Sequence, residues 1–219
     1  MNRIVPAILA KDKPQFRELM AQAQQMTDYV QIDFVHPSFA ENQTVMPREI
    51  FHEDFGAVKF EAHIMADKDS TIEIIHSLKS FAHCERIIVH RECGETLEDI
   101  RQVLNHIREV AKEVGIALNP GTDIREIGKL IKKVDTVLFM GVKPGFYGSA
   151  YQPHVLDSVR QFVERYTMYE QEISWDGGVT KENLPDIIAT GVSSIAVGSA
   201  IFKAESPVQA YQEFVTLAQ

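Results

Sequence analysis

Ile173-Ser174-Trp175-Asp176-Gly177-Gly178-Val179, with Ile195-Ala196-Val197-Gly198-Ser199-Ala200-Ile201-Phe202 a little further on, decides how this chain is read. Each stretch is a short apolar strand running straight into small residues. Glycine lets a backbone approach a ligand closely, and a helix beginning behind it offers unpaired N–H groups. The two stretches together make a cup for a phosphate. Asp176 stands at the tip of the first strand, where a barrel of strands places its chemistry. Helix capping alone could explain that one aspartate. The pair of stretches points to an enzyme acting on a small phosphorylated substrate.

Working outward, apolar runs alternate with amphipathic stretches. Strands are expected at 4–9, 29–33, 59–65, 86–90, 115–118, 136–140, 172–176 and 194–197. Helical patterns fall at 15–26, 70–81, 96–114, 124–133, 153–169, 182–190 and 207–217. The strands are short, nearly continuous apolar runs, as expected of parallel strands covered on both faces. Eight of them alternating with helices predict an α/β chain folded as one (β/α)8 TIM barrel over residues 1–219. Residues 35–56 carry no long helical pattern and are expected to form an extended loop. A doubly wound open sheet is the structural alternative, but no GxGxxG follows the first strand.

The 219 residues are 45% hydrophobic and 24% charged, enough apolar material for one sizeable core and no sign of a linker. A net charge of −9 and the lack of a basic patch argue against nucleic acid as the partner. An anionic sugar stays compatible, because local N–H groups can outweigh global charge. Cys84 and Cys93 form no metal-like pair. With no signal peptide pattern and no long apolar span, the expectation is a cytoplasmic protein without membrane partners.

Read at the strand ends, the candidate site collects Asp33, His63, Met65, His90, Asn119, Met140, Asp176, Gly198 and Ser199. Polar groups ending apolar strands are costly if merely buried. Singly, Asp33 is as readily a cap and His63 a satisfied core histidine; His90 is a core or rim residue, and Met65 and Met140 are packing. Collected at one mouth, the two aspartates and His63 are harder to ascribe to coincidence. After the sixth strand runs a glycine-punctuated loop, Met140-Gly141-Val142-Lys143-Pro144-Gly145-Phe146-Tyr147-Gly148-Ser149, of a kind that can close over a substrate.

These residues resemble the ribulose-phosphate 3-epimerase family. The matching pieces are Pro6-Ala7-Ile8-Leu9, Ile32-Asp33, Ala62-His63-Ile64-Met65, Val89-His90, Leu118-Asn119-Pro120-Gly121-Thr122, Val142-Lys143-Pro144-Gly145-Phe146, Asp176-Gly177-Gly178-Val179 and Val197-Gly198-Ser199-Ala200-Ile201-Phe202. The resemblance implies metal-assisted epimerisation at C3 of a ketose phosphate such as ribulose 5-phosphate. Asp33 and Asp176 match the family's two catalytic, metal-binding aspartates, and His63 matches a metal-binding histidine. Gly177, Gly178, Gly198, Ser199 and the loop around Gly145 and Gly148 match the phosphate-holding segments. Met65 and Met140 match methionines lining the site. A homo-oligomer is implied in the same way.

The departures cluster at the metal and substrate end. Gln31 replaces a second metal-binding histidine, and a neutral amide is a poor donor for ions that favour imidazole. A divalent cation of the Zn, Fe, Mn or Co class is therefore expected to be held weakly or not at all. Val35-His36-Pro37 replaces Met-Asp-Gly, with His36 a candidate stand-in ligand. Ala7 replaces a serine, and Tyr147 and Ser149 replace a glycine and a glutamine. They motivate a competing reading, a non-catalytic sugar-phosphate binder acting as a sensor or partner subunit. A decarboxylase or aldolase relative ranks lower. Its Asp-x-Lys-x-x-Asp pattern is not found in Glu61-Ala62-His63-Ile64-Met65-Ala66-Asp67.

Overall fold

Every strand of this chain pairs in parallel with its sequence neighbours, and the last closes onto the first. The computed structural model describes residues 2–146 and 148–219. Tyr147, one of the departures named above, lies outside the described residues. The strands are β1 (Arg3–Ile8), β2 (Tyr29–Val35), β3 (Lys59–Met65), β4 (Cys84–His90), β5 (Glu113–Leu118), β6 (Thr136–Met140), β7 (Glu172–Asp176) and β8 (Ser194–Val197). Around them run α1 (Lys13–Ala23), α2 (Pro47–Ile50), α3 (Lys68–Leu78), α4 (Leu97–Arg108), α5 (Val155–Arg165), α6 (Leu184–Ile188), α7 (Ser199–Phe202) and α8 (Pro207–Leu217). This is the expected (β/α)8 barrel.

Local chemistry explains several helix starts. Asp12 caps α1 by accepting from Gln15 N–H, and Thr96 and Asp99 form a reciprocal capping box on α4. Asp67 caps α3 by accepting from Ser70 N–H, so this acidic residue after the third strand has a structural role.

Three expectations needed adjustment. The helix expected over 96–114 ends at Arg108, and β5 begins inside that range at Glu113. Residues 124–133 form two 3-10 turns, Ile124–Ile127 and Ile131–Lys133, in place of one α-helix. Gly128 between them is a weak helix former, and a Cβ there would stand 2.9 Å from the Tyr166 hydroxyl. The segment after β2 is loop with one added turn, α2, begun by Pro47.

Because successive strand residues point to opposite faces, the barrel separates its side chains into two populations. The larger apolar core lies between strands and helices, with Phe34, Phe60, Phe139 and Trp175 fully buried there. Inside the barrel a small apolar plug is formed by Ile88, Ala117, Leu138, Met140 and Val142. Beneath it, at the strands' N-terminal ends, Arg86 meets Glu61, Glu113 and Glu172. At the C-terminal ends lies the second polar group, built from Gln31, Asp33, His63, His90 and Asp176.

Candidate active site

Strand register brings the C-terminal cluster together. Asp33 on β2 lies opposite His63 on β3, and Asp176 is the last residue of β7. Gln31 is two residues before Asp33 on the same strand, so both side chains point inward. All are buried: Gln31 and His63 have no exposed surface, and Asp33 and Asp176 keep only 5% and 8%. The aspartates line a cleft and the other two sit deeper.

Gln31 is the hub. Its Nε2 donates to Asp33 Oδ1 and to Asp176 Oδ2 at 2.8 Å each and stands 3.3 Å from His63 Nδ1. His63 Nδ1 is itself 3.1 Å from Asp33 Oδ1 and 3.2 Å from Asp176 Oδ2. On its far side, His63 meets His90 edge to edge, the ring planes 17° apart and the Nε2 atoms 2.9 Å apart. His90 Nδ1 faces Glu92 at 3.3 Å, and Glu92 also accepts from Thr122 and from Asn119 N–H.

The proton positions follow from these partners. Burial works against charge on His63, but hydrogen bonds and charge from Asp176 and Asp33 overcome it and lift its pKa to about 9. Burial pushes His90 down, against the opposing pull of Glu92. A protonated His63 then donates through Nδ1 to the carboxylates and through Nε2 to a neutral His90. His90 in turn donates through Nδ1 to Glu92. Burial raises Asp33, opposed by its bond with His63. Glu92 is lowered: burial opposes this, and the bond with His90 prevails.

The donor set fits a divalent cation. Asp33, His63 and Asp176 each offer one atom, all within 4.8 Å of one another, and carboxylate with imidazole is a common ligand mixture for such ions. Gln31 is part of the same cluster, whereas His36 pairs its Nδ1 with Ser38 Oγ at 2.8 Å.

Most of the remaining sequence candidates converge on the same cleft; Asn119 does not, and lines a neighbouring groove with Glu92 and Pro120. Met65, Met140, Gly145, Gly148, Ser149, Gly177, Gly178, Gly198 and Ser199 line it together with Asp33 and Asp176. Ala7 lines it as well. Gly177 and Gly178 take φ of 96° and 70°, a region in which other residues are strained. A Cβ on Gly177 would stand 2.5 Å from Val142 Cγ2. Glycine is required there on both counts. Residue-by-residue reading missed Glu92; its spacing of two from His90, just past a strand end, was the available signal.

A parallel barrel with an acid–imidazole cluster and a glycine-walled cleft at its C-terminal mouth is the architecture of a TIM-barrel enzyme. The sequence pattern of the Ribulose-phosphate 3 epimerase family matches residues 3–202, and the chain belongs to that family. Ribulose-phosphate 3-epimerase 2 of Cupriavidus necator is 28% identical over 211 residues, covering 92% of this chain and 85% of that one. Ribulose-phosphate 3-epimerase of Escherichia coli K12 is 28% identical over 204 residues, covering 91% and 88%. The protein of that name from Schizosaccharomyces pombe is 27% identical over 214 residues, covering 94% and 89%. Among solved structures, a 3-hexulose-6-phosphate synthase overlays with a TM-score of 0.67 at 16% identity, over the whole of both chains. A phosphoribosyl anthranilate isomerase from Thermus thermophilus gives 0.64 at 14%, covering 98% of this chain and 99% of that one. At those identities the overlays speak for the fold. No helix among the described residues is long and apolar enough to cross a membrane.

Proposed function

We propose that this protein is a sugar-phosphate 3-epimerase that inverts C3 of a ketose phosphate, with ribulose 5-phosphate the first substrate to test. The observation that carries the reading is the placement of Asp33 and Asp176 in one cleft with the glycine-rich walls at Gly177, Gly178 and Gly198. Those walls offer backbone N–H groups to the phosphate and so fix the distance from phosphate to the aspartates. One aspartate takes the C3 proton; the other returns a proton to the opposite face of the planar enediolate. Met65 and Met140 border the cleft with apolar surface and exclude water from the reacting carbon.

Asp33, His63 and Asp176 would hold a divalent cation, which supplies Lewis-acid stabilisation of negative charge on the substrate oxygens. His90 and Glu92 hold the His63 ring in place from behind. Membership of an epimerase family supports the reaction class; the identity of the sugar rests on the experiment. Incubation with ribulose 5-phosphate in D2O, with Zn, Fe, Mn and Co salts in turn, should give deuterium at C3 and the C3 epimer. If no ketose phosphate exchanges with any of the four cations, the reading is wrong.

One observation favours a second reading, a binder without turnover: Gln31 closes the acidic cluster from within the chain. That reading expects sugar-phosphate binding without C3 exchange.

A further inference from the structure

Among the described residues, one buried polar atom of the cluster has no hydrogen-bond partner. Gln31 is wholly buried, and its Oε1 finds no such partner while Nε2 serves both carboxylates. A buried amide oxygen left in this way is costly, and a native site that retains one calls for an explanation. The geometry around the other end of the amide supplies it.

Four atoms face one another: Gln31 Nε2, Asp33 Oδ1, His63 Nδ1 and Asp176 Oδ2. Separations from Nε2 are 2.8, 3.3 and 2.8 Å to Asp33, His63 and Asp176 in that order. Those from Nδ1 to the two carboxylates are 3.1 and 3.2 Å. Donors around a tetrahedral cation with bonds of about 2.0–2.2 Å lie roughly 3.3–3.6 Å apart. The five separations match or fall slightly short of those in such a shell, with the amide at the fourth vertex.

The amide's two ends suit opposite states of the cluster. With no cation, two carboxylate oxygens demand a donor, and only the NH2 end can face them. With a cation between them, the demand reverses, since an amide nitrogen has no lone pair to offer and Oε1 does. We propose that Gln31 is a two-position ligand. Its NH2 end holds Asp33 and Asp176 together in the metal-free protein. A turn of the amide brings Oε1 in as the fourth ligand of a divalent cation bound by Asp33, His63 and Asp176. The inference rests on the cation site assigned under the proposed function and adds Gln31 to it. The resulting shell of three oxygens and one nitrogen suits Mn best and gives the orphaned oxygen its partner.

The test reads cation binding and bound water, both independent of turnover. Mn2+ is titrated at one fixed pH into metal-stripped wild type, Gln31→Leu and Gln31→Glu, with the water-proton relaxivity of the bound ion recorded. Gln31→Leu should bind Mn2+ on the order of tenfold or more weakly and carry one extra inner-sphere water. Gln31→Glu keeps an oxygen at the vertex, so its bound ion should carry the same number of waters as wild type. Equal or tighter binding by Gln31→Leu would mean that the amide only plugs the site, and would overturn the proposal. So would an extra water on the wild-type ion relative to Gln31→Glu, which decides the matter if Gln31→Leu does not fold. Wild type that binds no Mn2+, Co2+ or Zn2+ at millimolar concentration overturns it too. An inactive protein that needs Gln31 for its cation would sink the epimerase reading alone. An active one whose cation ignores Gln31 would sink this proposal alone.

Discussion

The two ends of the barrel interior both bury carboxylates, and they neutralise them in opposite ways. At the N-terminal end, Arg86 bonds to Glu61, Glu113 and Glu172, and Arg3 adds a bridge to Glu172 while lying over the Tyr29 ring. A guanidinium does not give up its proton in a protein, so this charge balance is permanent. At the C-terminal end, Asp33 and Asp176 are met among the described residues by His63 and the Gln31 amide. One is a cation that can deprotonate, and the other is neutral. An end built to stay closed uses arginine; an end built to exchange protons and a cation leaves the balance adjustable. The contrast accords with the division of labour in such barrels, stability below and chemistry above.

The strongest way to break this contrast is at Asp176. Under the proposed mechanism, Asp176→Asn should lower C3 exchange by on the order of 10²–10⁴-fold with the fold unchanged by circular dichroism. Full turnover in that variant would remove Asp176 from proton transfer.

Arg86→Met tests the other end. With its side chain 7% exposed and Glu61 at 2%, loss of the guanidinium strands a buried carboxylate and should cost about 3–5 kcal/mol in urea unfolding. The double change Arg86→Met with Glu61→Leu should recover much of that loss. If the single variant is as stable as wild type, the lower network contributes nothing measurable.

A pH series separates the ends more gently. In metal-stripped protein, His63 has a folded pKa of about 9 against an ordinary 6.5, held up by Asp33 and Asp176 beside a neutral His90. Its contribution is therefore complete below pH 6.5 and disappears as pH rises through 9. Chemical denaturation should show stability falling by about 3 kcal/mol across that window. His63→Gln should flatten the slope.

The smallest effect expected is at Glu92. Glu92→Gln leaves the hydrogen-bonded His63–His90 pair but weakens its anchor, and should reduce cation affinity by about tenfold. An unchanged affinity would make Glu92 a loop fastener for Thr122 and Asn119 only.

Much of this was legible from residue order. Short apolar runs alternating with amphipathic ones specify parallel strands under helices, because strands covered on both faces need little else. The 124–133 segment misled because its apolar spacing suits a helix while Gly128 and its packing against Tyr166 do not. Asp33, His63 and Asp176 were readable as a set because each lies at or near the C-terminal end of an apolar strand and such ends meet at one mouth. Asp67, the last residue of the segment compared with the decarboxylase pattern, caps α3.

The sequence by itself determined the barrel, the cleft and the identity of the groups that face it, since strand periodicity and glycine placement are local properties. The resemblance it carries also set Gln31 at the place of an expected ligand, and suggested a weakened site. Only the tertiary structure decided what Gln31 does. Its amide hydrogen bonds join β2 to β7, and the relay from His63 through His90 to Glu92 crosses from β3 to the end of β4. Hydrogen-bond partners so far apart in the chain are set by barrel closure and register, which leave no local trace in the residue order.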